Sequence, residues 1–353
     1  LIGKHDRIRT APVEHMKPGM TLAEGIYNGS GVTQVSPGSV LSETAIARIR
    51  QLGISHVFIE DPRTDDLVIR DAVPWNVAAR GRELLRDLAE RVREAGGPDH
   101  VKVPFDDLLE LVHDIEDGLQ GTDLNVLEIP PVTRPEDYRY AYPINVAALS
   151  MFVTAKAGLP RRTTDVGLAA LLLDIGMELA PEEPEKHPEM SLAVLRQDER
   201  FSAYSRAIVF QHEERHDGSG YPRGIAGDDI DPLAKIVSVA DMYCSLISEG
   251  NPMGERLVPQ EAFDYVTSAA GFEFERTTVL GVMQYVALYP VGTMVRLNTG
   301  ECGVVTRVYK GLTTRPTVRV LYGADGVEVA RPYEMVLAEP EHQTVLVAGV
   351  CED

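Results

Sequence analysis

Residues 212–222 read HEERHDGSGYP, and the run continues to Gly224 as DGSGYPRG. Three glycines and a proline surround Tyr221 in that loop. Glycine lets the backbone approach a ligand closely, so Gly218 and Gly220 suit a loop that brings N–H groups to a phosphate or a planar base. Pro222 would help to hold Tyr221 rigidly. A tight structural loop without ligand has the same composition, and a glycine-rich loop alone is weak evidence of a site. Its meaning depends on the residues around it.

Upstream, residues 164–173 (TDVGLAALLL) form a helical, almost wholly apolar stretch that stops at Asp174, just before Ile175-Gly176. A carboxylate at the inner end of a buried helix needs a counter-charge or a cation. The plainer alternative is a helix-ending Asp bonded to a neighbouring loop. His187 lies beside another inward-packing segment, His212 comes shortly after AIVF, and Asp241 follows KIVSVA. Singly, each is more often a satisfied core residue than a ligand. Together with Asp174 they offer two imidazoles and two carboxylates, a mixed set suited to Fe, Mn or Zn and not to a closed thiolate site.

The chain of 353 residues is long enough for two or three domains, and 44% apolar with 25% charged residues describes a packed protein. A net charge of -20 argues against a nucleic-acid binder and against an anionic membrane surface. A phosphate ligand would need local charge reversal by a metal or by a few Arg and Lys side chains. Cys244, Cys302 and Cys351 show no motif spacing, so neither a disulfide framework nor a zinc site is expected and a reducing cytoplasm is the expected compartment. No apolar run reaches the ~18 residues of a membrane span, the first residues lack the apolar stretch of a signal peptide, and Leu1 in place of methionine points to a trimmed start.

Three parts are expected along the chain. Residues 1–75 alternate β-type runs with turns, including NGSG at 28–31. They also hold one amphipathic helix over 42–52, with Ser42 as N-cap and Gly53 after its last turn. Residues 76–288 are helical: 77–96 and 105–119 carry apolar positions at three- and four-residue spacing, and further helices are predicted over 143–157, 164–173, 190–196, 203–214 and 233–247. Residues 289–353 return to β, with TMVRLN, GECGVVTRVY and PTVRVLY separated by turns. The expected class is mainly α, a helical bundle with small β-containing modules at both ends.

In combination, these motifs resemble the HD-GYP family, a branch of the HD phosphohydrolase superfamily that hydrolyses the bacterial messenger cyclic di-GMP at a two- or three-metal centre. The resemblance lies in residues 134–250, and residues 15–60 and 289–309 look like the modules that often flank such domains. It implies a metal-ligand set of Asp174, His187, His212, Glu213 and Asp241, and a ligand-binding loop of Arg215, Asp217, Gly218, Gly220, Tyr221 and Pro222. The match is incomplete in a pattern. Tyr142, in YRYAYPINVAAL, stands where the family usually has a metal-binding His, and Tyr138 where a carboxylate is sometimes found. Leu173 replaces the imidazole of the His-Asp pair, and Met177 replaces the following lysine. Glu213 stands for the second of two histidines, and Cys244 and GNPMGER replace an acidic residue and an Arg-Pro-Tyr run.

The resemblance therefore implies a degenerate centre. One metal would be left with Asp174 and Asp241 only; the other keeps Asp174, His187 and His212, with Glu213 offering oxygen. The expectation is one divalent ion or none, no assignable catalytic residue, and a regulatory or binding module in cyclic di-GMP signalling. Its partners would be the nucleotide or proteins, with a homodimer left open. The competing readings are an active phosphodiesterase with an altered metal centre, and a purely structural partner-binding protein.

Overall fold

The computed structural model describes residues 8–13, 16–27, 32–52, 54, 56–64, 66–67, 72–120 and 125–351. The expected NGSG turn and Gly53 lie outside them. The chain divides into two compact units: residues 72–123 with 134–283, and residues 1–71 with 124–133 and 284–353.

The first of these is helical. It comprises α2 (Trp75–Ala95), α3 (Phe105–Gln120), α4 (Tyr138–Lys156), α5 (Thr163–Leu171), α6 (His187–Leu195), α7 (Ala203–Gln211), α8 (Pro232–Leu246), α9 (Pro259–Ser268) and α10 (Arg276–Met283). Helices α2 and α3 follow the amphipathic spacing: Leu85, Leu88, Ala89 and Val92, and Leu108, Leu111, Val112 and Ile115, are buried, while most of the residues between them are charged. Each fully buried Leu or Ile contributes about 1.5–3 kcal/mol. Helix α4 is different. It packs against α2, α5 and α8 and is buried continuously from Tyr142 to Thr154, so it has no solvent face to give it a period. A central helix of this kind brings one residue, Tyr142, within reach of the turn after α5 and of α8.

The second unit is built on β-structure. Strands β5 (Met294–Leu297), β6 (Cys302–Arg307), β7 (Thr317–Tyr322), β8 (Glu328–Val336) and β9 (Val347–Val350) form one antiparallel sheet in the order β8-β7-β6-β5-β9. Both faces of its middle are covered. Met294, Val304 and Leu321 point to one side; Val295, Val305 and Val320 point to the other, as the two-residue repeat of a strand requires. The first face packs on Ala23, Phe58 and Leu67. These residues come from the N-terminal segment, which holds β1 (Ile8–Pro12), β2 (Ile26–Tyr27), β3 (Thr33–Val35), α1 (Glu43–Gln51, capped by Ser42 Oγ) and β4 (His56–Glu60, antiparallel to β1). The two β modules expected at opposite ends of the chain thus share a core.

No disulfide framework is expected from the cysteine spacing, and the structure departs from that at one pair. Cys302 and Cys351 are joined in a disulfide, while Cys244 is free and buried in α8. They are 49 residues apart in sequence, but β5 pairs with β6 on one side and β9 on the other, and that sheet order brings them together. Among the described residues no helix is long and apolar enough to cross a membrane.

Candidate metal centre and glycine loop

Asp174 lies in the turn after α5, just before a 3-10 turn, Ile175–Glu178. The turn is fastened to α6 by Ser191, whose Oγ donates to Leu173 O (2.7 Å) and accepts from Gly176 N (2.8 Å). A Cβ at Gly176 would run into His187 O and Ser191 N, so only glycine allows this approach. The fastening sets Asp174 beside His187, the first residue of α6. His212 follows α7 directly and closes the third side.

Both imidazoles are fully buried, and their Nδ1 atoms face backbone carbonyls: His187 to Pro184 O at 2.7 Å and His212 to Val209 O at 2.8 Å. A carbonyl oxygen only accepts, so each Nδ1 carries its hydrogen and each Nε2 lone pair turns inward. There the two Nε2 atoms lie 2.9 Å apart, and Asp174 Oδ1 lies 3.2 Å from one and 3.7 Å from the other. Two lone pairs cannot face each other at that distance without a cation between or beside them. A proton or a metal ion meets the requirement, and Asp174, His187 and His212 are close enough to share one metal. In the metal-free state the imidazole pair holds one proton. Burial opposes it, but the attraction of Asp174 and Glu213 raises His212 to about 9, whereas burial lowers His187. Burial also pushes Asp174 up, yet the imidazoles more than offset this and hold it below the ordinary carboxylate range.

Glu213 borders the same cavity, with Oε1 3.9 Å from His187 Nε2 and Oε2 accepting from Arg215 Nη2 at 2.7 Å. Burial raises its carboxyl, but His212 and Arg215 bring it to a net value below normal. Asp241, on α8, stands apart from the imidazoles and meets Tyr142 instead. The Tyr142 hydroxyl lies 2.6 Å from Asp174 Oδ2 and 2.8 Å from Asp241 Oδ1. Burial, then the charge of Asp174, raises Asp241 to about 7, and burial with both carboxylates pushes the Tyr142 phenol well above its usual value. Leu173 is buried, and the backbone N–H of Met177 donates to Asp174 O.

The loop is held from within. Glu214, only 2% exposed, accepts from Arg223 N at 2.8 Å and Ile225 N at 3.0 Å. Asp217 Oδ1 accepts from Ser219 N, Gly218 N (φ +81°) donates to Arg215 O, and Tyr221 N donates to Glu213 O. A Cβ at Gly220 would strike Glu213 O and Arg215 N. Five of the loop amides therefore serve internal acceptors, and the segment is built as a frame for Tyr221 more than as a phosphate cradle. Pro222 follows in a cis peptide bond, and the Tyr221 ring meets His187 edge-on at 6.1 Å. Arg215 is committed inward as well, to Glu213, Ser238 Oγ and His212 O, with its guanidinium over Phe274. Sequence reading missed Glu214; the available signal was a carboxylate beside a turn whose N–H groups needed acceptors.

Comparison with known proteins matches residues 133–277 to the HD domain model. This segment is similar to HD domains. Residues 294–349, the stretch that holds β5 to β8 and most of β9, match a model described as a KOW domain associated with HD domain. The chain is 28% identical over 256 residues to a cyclic di-GMP phosphodiesterase of Pseudomonas aeruginosa, covering 68% of this chain and 61% of that protein. It thus spans about three fifths of that relative's length. A cyclic di-GMP phosphodiesterase response regulator of Xanthomonas campestris is 35% identical over 92 residues, 26% of this chain and 24% of the regulator. Among solved structures, a HDG"Y"P protein from Bdellovibrio bacteriovorus is similar at 18% identity and a TM-score of 0.44, over 78% of this chain and 98% of that one.

Proposed function

We propose that this chain is a binding and regulatory protein of cyclic dinucleotide signalling whose HD domain holds one divalent cation and has little or no phosphodiesterase activity. The observation that carries the reading is the donor set. Asp174, His187 and His212 would hold the ion, with Glu213 beside them, and beyond that group Asp241 is the remaining ligand type at the centre. A hydroxide bridging two metals is the usual means of lowering a water's pKa while clamping attacking and leaving oxygens. Leu173 puts no imidazole, and Met177 no ammonium, where the family has them.

A bound divalent cation supplies positive charge that a phosphate oxygen can meet. The chain's own residues do the rest. The Nδ1–H bonds to Pro184 and Val209 aim both imidazoles, Arg215 holds Glu213 against the cavity, and Glu214 fixes the loop that carries Tyr221. These are features of a preformed site. The resemblance and the phosphodiesterases among the relatives support cyclic di-GMP as the ligand, and the same relatives are the ground for the rival reading, an active enzyme with an altered centre.

Calorimetric titration with cyclic di-GMP, with and without Mn2+, combined with chromatography of the products, tests the proposal. Metal-dependent binding without turnover is expected. Robust metal-dependent hydrolysis by purified protein would overturn it in favour of the rival, and absence of binding in both conditions would leave a structural role.

A further inference from the structure

Asp174 faces two ways. Its Oδ1 looks toward the imidazole pair, while Oδ2 looks toward Asp241, the posture of a carboxylate shared by two cations. On the second side it meets the Tyr142 hydroxyl, which touches Asp174 Oδ2 and Asp241 Oδ1 at once. Two half-buried carboxylates brought to the same atom repel each other unless positive charge or a shared hydrogen stands between them. A hydroxyl hydrogen is the smallest such charge that a side chain can carry there.

The placement is built into the helices. Tyr138 and Tyr142 are one turn apart on α4, and their rings stack at 4.6 Å, inclined by 4°. Facing them on α8 are Asp241 and Ser245, also four residues apart, with the Tyr138 hydroxyl 2.9 Å from Ser245 Oγ. Two rungs therefore connect α4 to α8, and the lower one fixes the ring that makes the upper one. Tyr142 is 3% exposed, so its ring has no room to swing away.

We propose that Tyr142 determines how many cations the centre takes. Its hydroxyl stands on the Asp174 and Asp241 oxygens that a second cation would need, donating its one hydrogen to either of them, and so fills that cation's place. The inference rests on the one-cation reading above, and Tyr142 is here a specificity-determining residue that acts through the two carboxylates.

The test is equilibrium dialysis against saturating Mn2+, with metal counted by elemental analysis, on the wild-type chain and on Tyr142→Phe. Phenylalanine keeps the ring and its stack and removes only the hydroxyl; circular dichroism checks that the variant is folded. The expected result is one more Mn2+ per chain in Tyr142→Phe than in the wild type. A folded variant that binds no more than the wild type would overturn the inference, and so would a wild type that binds two ions, whatever the variant does. A wild type that binds none beside a variant that binds one would leave the tyrosine assignment standing and remove the one-cation reading.

Discussion

Glutamate 214 offers a sharp test of how the glycine loop is held. Its carboxylate is buried and accepts two backbone N–H groups, from Arg223 and Ile225. Hydrogen bonds to a charged acceptor contribute about 1.5–3 kcal/mol each. Glu214→Gln keeps the shape and one acceptor oxygen but turns an NH2 group toward the other amide, so it should cost about 1.5–3 kcal/mol, the value of one such bond. Because 1.4 kcal/mol is tenfold in an equilibrium, the loop should open roughly tenfold to a hundredfold more often. Hydrogen exchange resolved by residue is the assay. The amides of Arg223 and Ile225 should exchange faster by that factor, while those of α4, such as Leu149, should slow or quicken no more than the global stability does. If both loop amides exchange within about twofold of the wild type, Glu214 is not what holds the loop.

His212→Gln, which removes one inward Nε2, should weaken Mn2+ binding by at least about a hundredfold in the dialysis measurement, and unchanged affinity would remove the imidazole pair from the centre. The metal-free protein should lose stability as pH rises. Asp241 is raised from 3.8 to about 7, so its contribution fades between about pH 4 and 7; His212 is raised from 6.5 to about 9, so its contribution is full below 6.5 and is lost through about 9. Urea denaturation in a chelator at pH 6 and pH 9 measures the fall, and a flat profile would contradict the assigned protonation. The disulfide closes a loop from Cys302 to Cys351, with a sequence separation of 49, for which chain entropy predicts about 4 kcal/mol. Cys351→Ser should therefore lower the melting transition of the β-rich unit, and a melt equal to that of the oxidised wild type would count against the bond.

Much of the centre could be read before any coordinates because Asp174, His187 and His212 each adjoin an apolar helix, and a charge in that position has few innocent explanations. The Tyr142 bridge was not legible. The sequence marks Tyr142 as a missing imidazole, but only the packing of α4 between α5 and α8 shows where its hydroxyl ends. The inward bonds of Arg215 and the part played by Glu214 were not legible for a related reason: in a turn, no periodicity says which way a side chain faces. Helices α2 and α3 were evident from their spacing. Helix α4 was drawn too short, from Pro143, because Pro143 reads as a start and here lies inside the helix. The disulfide depended on strand order, which short β runs do not reveal.

The β-rich unit is interrupted in sequence, since its first piece ends at residue 71 and its main sheet begins only after residue 284. On a ribosome adding ~5–20 residues per second, the intervening 212 residues, 72 to 283, take on the order of 10–40 s to appear. Throughout that interval Phe58 and the neighbouring apolar residues of the N-terminal segment are without the strands that later cover them, and by its end the helical unit has its whole chain. Synthesis thus completes the chain of the helical unit before that of the β-rich unit.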